Sequence, residues 1–260
     1  MGWKGMAIGG YIGSIFGGPL GAIIGAVLGH KVEGAAFGKE TRKVRYSSVP
    51  PRDRANLFCA TVAAMLAKMA KADGVVTEDE IAGVENAFRR LGFTPAARRY
   101  AIDVFRRAKD DGHTIYEYAQ EFAFAVDSVE VRELFYEILW DVAGADGEID
   151  RSELLILQRI PRALGIRLDW YAYFAAQRMA GRRRGASVAR DPLADAYAVL
   201  GAGASDSVDE LKRKYRELAK KNHPDALRAQ GLPEEMVGKA TERMSRINAA
   251  WATIREARGI

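Results

Sequence analysis

The amino-terminal segment places the strongest constraint on this chain, because no charged residue occurs from Gly5 to Gly29. These 25 residues exceed the roughly 20 that a membrane-spanning helix needs. Glycine recurs at every fourth position, at residues 5, 9, 13, 17, 21, 25 and 29. On a helix this spacing forms a stripe that allows a second helix to approach closely. We therefore expect residues 1–30 to be a transmembrane anchor that pairs with a second copy through Gly9, Gly13, Gly17, Gly21 and Gly25.

The charges that flank this run predict its orientation. Only Lys4 precedes it, whereas residues 31–54 contain seven lysines and arginines against three acids. The positive-inside bias then places the amino terminus outside and the bulk of the chain in the cytoplasm. The basic juxtamembrane segment also suits anionic lipid head groups. A flexible soluble tail is the alternative, but so much exposed Ile, Leu and Phe would aggregate in water.

An internal repeat with an offset of 73 residues occupies positions 55–180. The segment Ala72-Asp73-Gly74 matches Ala145-Asp146-Gly147, and Leu91-Gly92 matches Leu164-Gly165. Apolar residues at helical spacing precede both Asp-Gly pairs. Each copy is therefore predicted to be a helix, a tight turn and a second helix that ends at Leu-Gly. Together with the helices between them, the two copies make a small all-α domain.

The acidic residues of the repeat allow two interpretations. Thr77-x-x-Glu80 and Asp150-x-x-Glu153 fit capping boxes that open the second helix of each copy. An EF-hand is disfavoured, because two of the loop positions that must supply oxygen ligands hold Met69 and Lys71 in the first copy. The pattern resembles the TerB-like, or tellurite-resistance B, domain. That resemblance leaves open a metal site formed by Asp73, Glu80, Asp146 and Glu153, although capping is the preferred role.

The last part of the chain, residues 192–260, is predicted to be a compact helical unit. It follows Gly181-Arg182-Arg183-Arg184-Gly185, the start of a linker over 181–191 whose charges we expect to be solvated and not to bind nucleic acid. Ser207 fits the N-cap of its second helix, and apolar stripes mark the second and third helices. These two helices should form an antiparallel hairpin with His223-Pro224-Asp225 in an exposed loop at its tip.

These segments closely resemble a J domain. The matching stretches are Asp195 to Gly201, Leu211 to Ala219, the signature His223-Pro224-Asp225 and Arg246 to Trp251. Residues 231–236 lengthen the usual loop and resemble the DjlA branch of the family, as does the order of anchor, TerB-like domain and terminal J domain. Trp251 departs from the family, which usually has Tyr there.

The resemblance implies a co-chaperone of the cell inner membrane that binds a DnaK-type chaperone and stimulates its ATP hydrolysis. The docking residues would be His223, Pro224 and Asp225 with Arg213, Arg216 and Lys220, which share one face of the second helix. A basic face of this kind suits an acidic protein partner. No cofactor and no catalytic residue are expected, because His223 has no nucleophile or second histidine near it in the sequence.

Two other functions remain open. The chain fits an envelope-sensing or membrane-stress scaffold in which the TerB-like domain binds the main partner or a metal. A metal-dependent enzyme in the middle domain is the weaker possibility, because His113 is the sole histidine there. The single cysteine, Cys59, excludes an intrachain disulfide and favours a reducing compartment.

Overall fold

The computed structural model describes residues 51–71, 78–144, 149–168, 191–230 and 232–260, together with the single positions 21, 172 and 175. The predicted anchor and its glycine stripe lie outside these ranges, apart from Gly21. The two Asp-Gly turns and nearly all of the basic linker also lie outside them. Within the described ranges, no helix combines the length and the apolarity that a membrane crossing requires.

The middle domain is built from six helices in the described part of the chain: α1 (Pro51–Ala70), α2 (Glu78–Arg90), α3 (Pro95–Ala108), α4 (Ile115–Ala125), α5 (Val129–Ala143) and α6 (Arg151–Leu164). The residues described there contain no β-strand, which agrees with the predicted all-α class. Helix α1 is the centre of the domain, because every residue from Leu57 to Ala67 is buried. The Phe58 ring lies edge-on against Phe122 and Phe135, with centroids 6.0 and 5.2 Å away.

The two copies of the repeat follow the same course, α1–α2 and α5–α6. Both second helices end at the predicted Leu-Gly pair, where Gly92 and Gly165 have φ of +84° and +61°. The next residue then donates its N–H to a carbonyl five positions back, over 3.1 Å for Phe93 and 3.0 Å for Ile166. This is the Schellman arrangement, which favours glycine because other residues rarely adopt positive φ.

The carboxy-terminal domain contains α7 (Pro192–Leu200), α8 (Val208–Asn222), α9 (Pro224–Ala229), a 3₁₀ turn (Glu234–Met236) and α10 (Val237–Arg258). Helices α8 and α10 are antiparallel, as predicted. Near the end of α10, Arg258 donates to the main-chain oxygen of Asp206, which lies just before α8, over 3.3 Å. The side chain of Ile254 packs into the core between these helices and α7.

The signature region differs from the predicted loop. Pro224 and Asp225 form the first turn of α9, and His223 is its N-cap. Proline suits this position, because its fixed φ is helical and its missing N–H has no partner in a first turn. Residues 231–236 were expected to extend a loop, yet Leu232 and Met236 are buried.

The reason for this burial is contact with the middle domain. Leu227, Leu232, Met236 and Ala240 belong to the same apolar cluster as the middle-domain core. The rest of the carboxy-terminal core is a separate cluster. The segment that follows the signature residues is therefore folded against the other domain.

Candidate functional site

Helix α8 is fixed by its cap and by one buried face. Ser207 accepts from the Glu210 N–H, and the Glu210 carboxylate accepts from the Ser207 N–H at 2.9 Å. Leu211 is fully buried, and Tyr215 stacks on Trp251 of α10 with centroids 4.9 Å apart. These contacts turn the opposite face of α8 to solvent.

That solvent face carries the predicted cations Arg213, Arg216 and Lys220, and all three are exposed. Arg213 pairs with Glu217 at 3.3 Å, but both side chains are more than half exposed. Such a pair contributes little stability and breaks easily in favour of a better partner. No acidic side chain in the described ranges lies within ion-pair distance of Arg216 or Lys220, so the face presents net positive charge.

His223 lies at the junction of two helices. Its backbone ends α8 and begins α9, and its Nδ1 accepts from the Asp225 N–H at 3.3 Å. In the neutral ring this hydrogen bond assigns the proton to Nε2, which is then a donor. The side chain is 55% exposed, so the donor is accessible to a partner.

Asp225 is held by a residue that sequence reasoning missed. Arg228 donates to Asp225 Oδ1 at 2.8 Å and makes two hydrogen bonds to Glu234, at 2.8 and 3.1 Å. These bonds, first those to Glu234, raise the pKa of Arg228, and the same bridge lowers the pKa of Glu234. The three-residue step from Asp225 to Arg228 is an ordinary helical ion-pair spacing and is the sequence signal that could have revealed this contact.

The candidate metal residues are only partly described. Asp73, Asp146 and the side chain of Glu80 lie outside the described residues, and no group of three or more His, Cys, Asp or Glu suitable for a metal occurs within them. Glu153 acts as a cap, because its carboxylate accepts from the Asp150 N–H at 3.0 Å. The predicted Asp150–Glu153 capping box is thereby confirmed, while the Thr77–Glu80 box falls outside the described residues.

Asp150 completes that cap. Partial burial acts to raise its pKa, but the N–H groups of Glu153 and Ser152 and the Ser152 hydroxyl lower it overall. An ionised carboxylate at the start of a helix also interacts favourably with the helix dipole. Asp150 and Glu153 thus stabilise the beginning of α6.

Comparisons with known proteins place two domains on this architecture. Residues 60–172 match the family model of the tellurite resistance protein TerB, and residues 195–258 match that of the DnaJ domain. No solved structure matches the chain.

The family of this chain follows from its similarity to named proteins. The co-chaperone protein DjlA of Vibrio cholerae is 32% identical over 228 residues, which cover 80% of each chain. This chain belongs to the DjlA co-chaperone family. The DjlA proteins of Photobacterium profundum and Escherichia coli K12 agree, at 33% over 210 residues and 30% over 222 residues. They cover 75% and 80% of this chain and 76% and 82% of their own lengths.

Membership of the DjlA family confirms the predicted J domain and TerB-like domain. The J domain of this family member places His223 and Asp225 at the exposed start of α9, beside the cationic face of α8. Three predicted cations and the signature residues are therefore on neighbouring surfaces. Arg228 and Glu234 hold the signature carboxylate in position.

Proposed function

We propose that this DjlA family member binds a DnaK-type chaperone through its J domain and stimulates ATP hydrolysis by that partner. The docking surface comprises the cations Arg213, Arg216 and Lys220 and the signature residues His223, Pro224 and Asp225. Similarity to relatives named co-chaperones supports this function. The chain itself acts as a regulator, and the chemistry of ATP hydrolysis belongs to the partner.

The observation that carries the proposal is the state of the signature residues. Asp225 is 74% exposed yet oriented by Arg228, so its carboxylate is pre-organised to accept from a cationic group of the partner. His223 offers a donor from the opposite end of the same turn. Pre-organised groups lose less conformational freedom on binding, and a neighbouring cationic face favours approach of an acidic partner.

We propose in addition that the chain acts at the cell inner membrane. Residues 1–30 anchor the chain as a single-pass helix in the cell inner membrane, the amino terminus is outside, and the basic segment 31–54 contacts lipid head groups. The glycine stripe joins two copies. The supporting observations are the uncharged run from Gly5 to Gly29 and the excess of cations after it.

Substitution in the signature tests this function. His223→Gln or Asp225→Asn should lower stimulation of a purified bacterial DnaK about 30-fold or more, because a hot-spot residue contributes about 2 kcal/mol or more. Single-turnover ATP hydrolysis by DnaK with increasing amounts of the full chain is the measurement. Both side chains are exposed, so circular dichroism and the melting temperature should stay unchanged.

His113→Gln is the matched control, because it makes the same change at a partly exposed histidine of the TerB domain. It should stimulate DnaK as the native chain does. Normal stimulation by the His223→Gln and Asp225→Asn variants would contradict the proposed function.

A further inference from the structure

Helix α5 of the TerB domain presents a row of acids. Glu130, Glu133, Glu137 and Asp141 follow one another at steps of three and four residues, so they lie on one face of the helix. Glu133 and Glu137 are buried, an environment in which carboxylates require partners. Those partners come from the J domain.

The J domain supplies one cation for each acid. Arg243 contacts Glu133 at 2.5 Å, Lys239 contacts Asp141 at 2.8 Å, and Arg246 donates to Glu137. Lys221, at the end of α8, lies 3.9 Å from Glu130. Three of these cations are at steps of four and three along α10, so a basic face of α10 meets the acidic face of α5.

Burial distinguishes this contact from ordinary surface ion pairs. The side chains of Arg243 and Glu133 are only 3% and 8% exposed. Burial acts to lower the pKa of Lys239, but its hydrogen bonds to Asp141 and Glu242 raise it overall. The apolar residues of the segment after the signature pack beside these pairs, in the same cluster as the TerB core. The contact between the two domains therefore combines ion pairs with apolar packing.

We propose that α5 of the TerB domain is the binding site of the chain's own J domain, and that this docking covers one cationic face while leaving the signature face open. Docking then determines which side of the J domain an outside acidic partner reaches. The covered cations are Lys239, Arg243 and Arg246, while Lys221 lies at the edge of the contact with its side chain 62% exposed. The open cations are Arg213, Arg216 and Lys220 of α8, and this second half of the proposal rests on the proposed function.

A charge-swap experiment on the full chain in detergent or nanodiscs tests the docking without DnaK. Spin labels at Asp103→Cys and Ser245→Cys, both exposed positions, report the distance between the domains, since Cys59 is buried and out of reach of the reagent. The native chain should give one narrow distance distribution. The Arg243→Glu variant should lose this narrow distribution, because two like charges then face each other. The double variant Glu133→Arg with Arg243→Glu should restore it.

Lys239→Glu with its partner swap Asp141→Lys repeats the test at a less buried pair, where folding is less at risk. Arg255→Glu, an exposed reversal on the same helix, should leave the distribution narrow. An unchanged distribution in folded Arg243→Glu and Lys239→Glu variants overturns the docking, as does failure of both swaps to restore it.

Stimulation of DnaK tests the second half separately. An undocked variant with intact His223 and Asp225 should still stimulate, because docking does not cover these residues. A gain of stimulation upon undocking would make the contact inhibitory and overturn the claim that docking leaves the signature face open. If the distance distribution behaves as expected while the native chain fails to stimulate DnaK, the docking stands and the proposed function fails.

Discussion

Asp111 shows how a single loop carboxylate stabilises the TerB domain. It lies between α3 and α4 and accepts from the His113 N–H at 2.8 Å and the Tyr118 hydroxyl at 2.9 Å. The ammonium of Lys68 is 3.4 Å from the same oxygen. Partial burial acts to raise the pKa of Asp111, but the hydrogen bonds from His113 and Tyr118 outweigh it and lower the pKa to about 2.

This depressed pKa gives a prediction about acid stability. A carboxyl group whose pKa is lower in the folded chain stabilises it above the pKa of the unfolded chain, and this contribution is lost as the pH falls through the folded value. Asp111→Asn should lower the free energy of unfolding by about 1–3 kcal/mol at neutral pH. The difference from the native chain should shrink below about pH 4 and vanish near about pH 2.

Chemical denaturation followed by tryptophan fluorescence, at a series of pH values, measures this difference. Asp110→Asn is the control, because Asp110 is 72% exposed and its substitution should have little effect at any pH. A destabilisation by Asp111→Asn that stays constant from neutral pH to pH 2 would show that charge is not its cause.

At the scale of the element, α8 separates its packing face from the solvent face that we propose binds DnaK. The capping hydrogen bonds with Ser207 lower the pKa of Glu210 at the helix start. Lys220 and Lys221 occupy the last turn, where cations interact favourably with the helix dipole. The packing residues Leu211 and Tyr215 lie on the inner face, so the outer cations can change without loss of the core.

Reversal of the outer cations should therefore weaken binding and leave the fold intact. Arg213→Glu, Arg216→Glu and Lys220→Glu together should reduce affinity for DnaK about tenfold or more at low salt, since electrostatic steering changes association rates by this order. The loss should be smaller at physiological ionic strength, where the screening length is about 8 Å. Surface plasmon resonance over a range of salt concentrations measures both effects.

A control with the same change in net charge comes from the TerB domain, where Arg89, Arg90 and Arg99 are exposed. Reversal of these three should leave affinity nearly unchanged. If the α8 variant binds like the native chain at low salt, this face is not part of the interface.

At the scale of the whole molecule, the proposed anchor and the proposed docking would both constrain where the J domain can lie. Two chains joined through their anchors would place two J domains on one complex and raise the local concentration of docking sites for a shared client. Docking on α5 would fix the direction of each signature face relative to its TerB domain.

Pairing of two anchors through the glycine stripe can be tested by substitution. Gly13→Leu, Gly17→Leu and Gly21→Leu together should leave membrane insertion intact, because the segment becomes more apolar. They should weaken pairing, because leucine side chains hold two helices apart. A transmembrane-association reporter carrying residues 1–30 measures pairing, and membrane fractionation measures insertion.

Ile15→Leu, Ile23→Leu and Val27→Leu form the control, since each lies two positions from both flanking stripe glycines and therefore on the opposite side of a helix. Equal reporter signals from the native and glycine-substituted segments would contradict pairing through glycine. The stripe would then serve contact with other membrane proteins.

Local sequence patterns determined the helices and the signature. Ser207 with Glu210 and Asp150 with Glu153 are capping pairs within one turn, and Leu-Gly marked the ends of α2 and α6. The three- and four-residue steps of the apolar positions predicted the hairpin of α8 and α10. Interactions this close in sequence leave a pattern that a reader of the sequence can recognise.

Tertiary structure alone decided what those elements pack against. Arg243 is buried because it meets Glu133, a residue 110 positions away, and no local pattern distinguishes it from a solvated arginine. Leu232 and Met236 were assigned to a loop because the residues that bury them are in the other domain and leave no pattern in the local sequence. Periodicity shows that a helix has a buried face, but only the folded chain brings together the acids of α5 and the cations of α10, because their pairing depends on distance in space and not along the sequence.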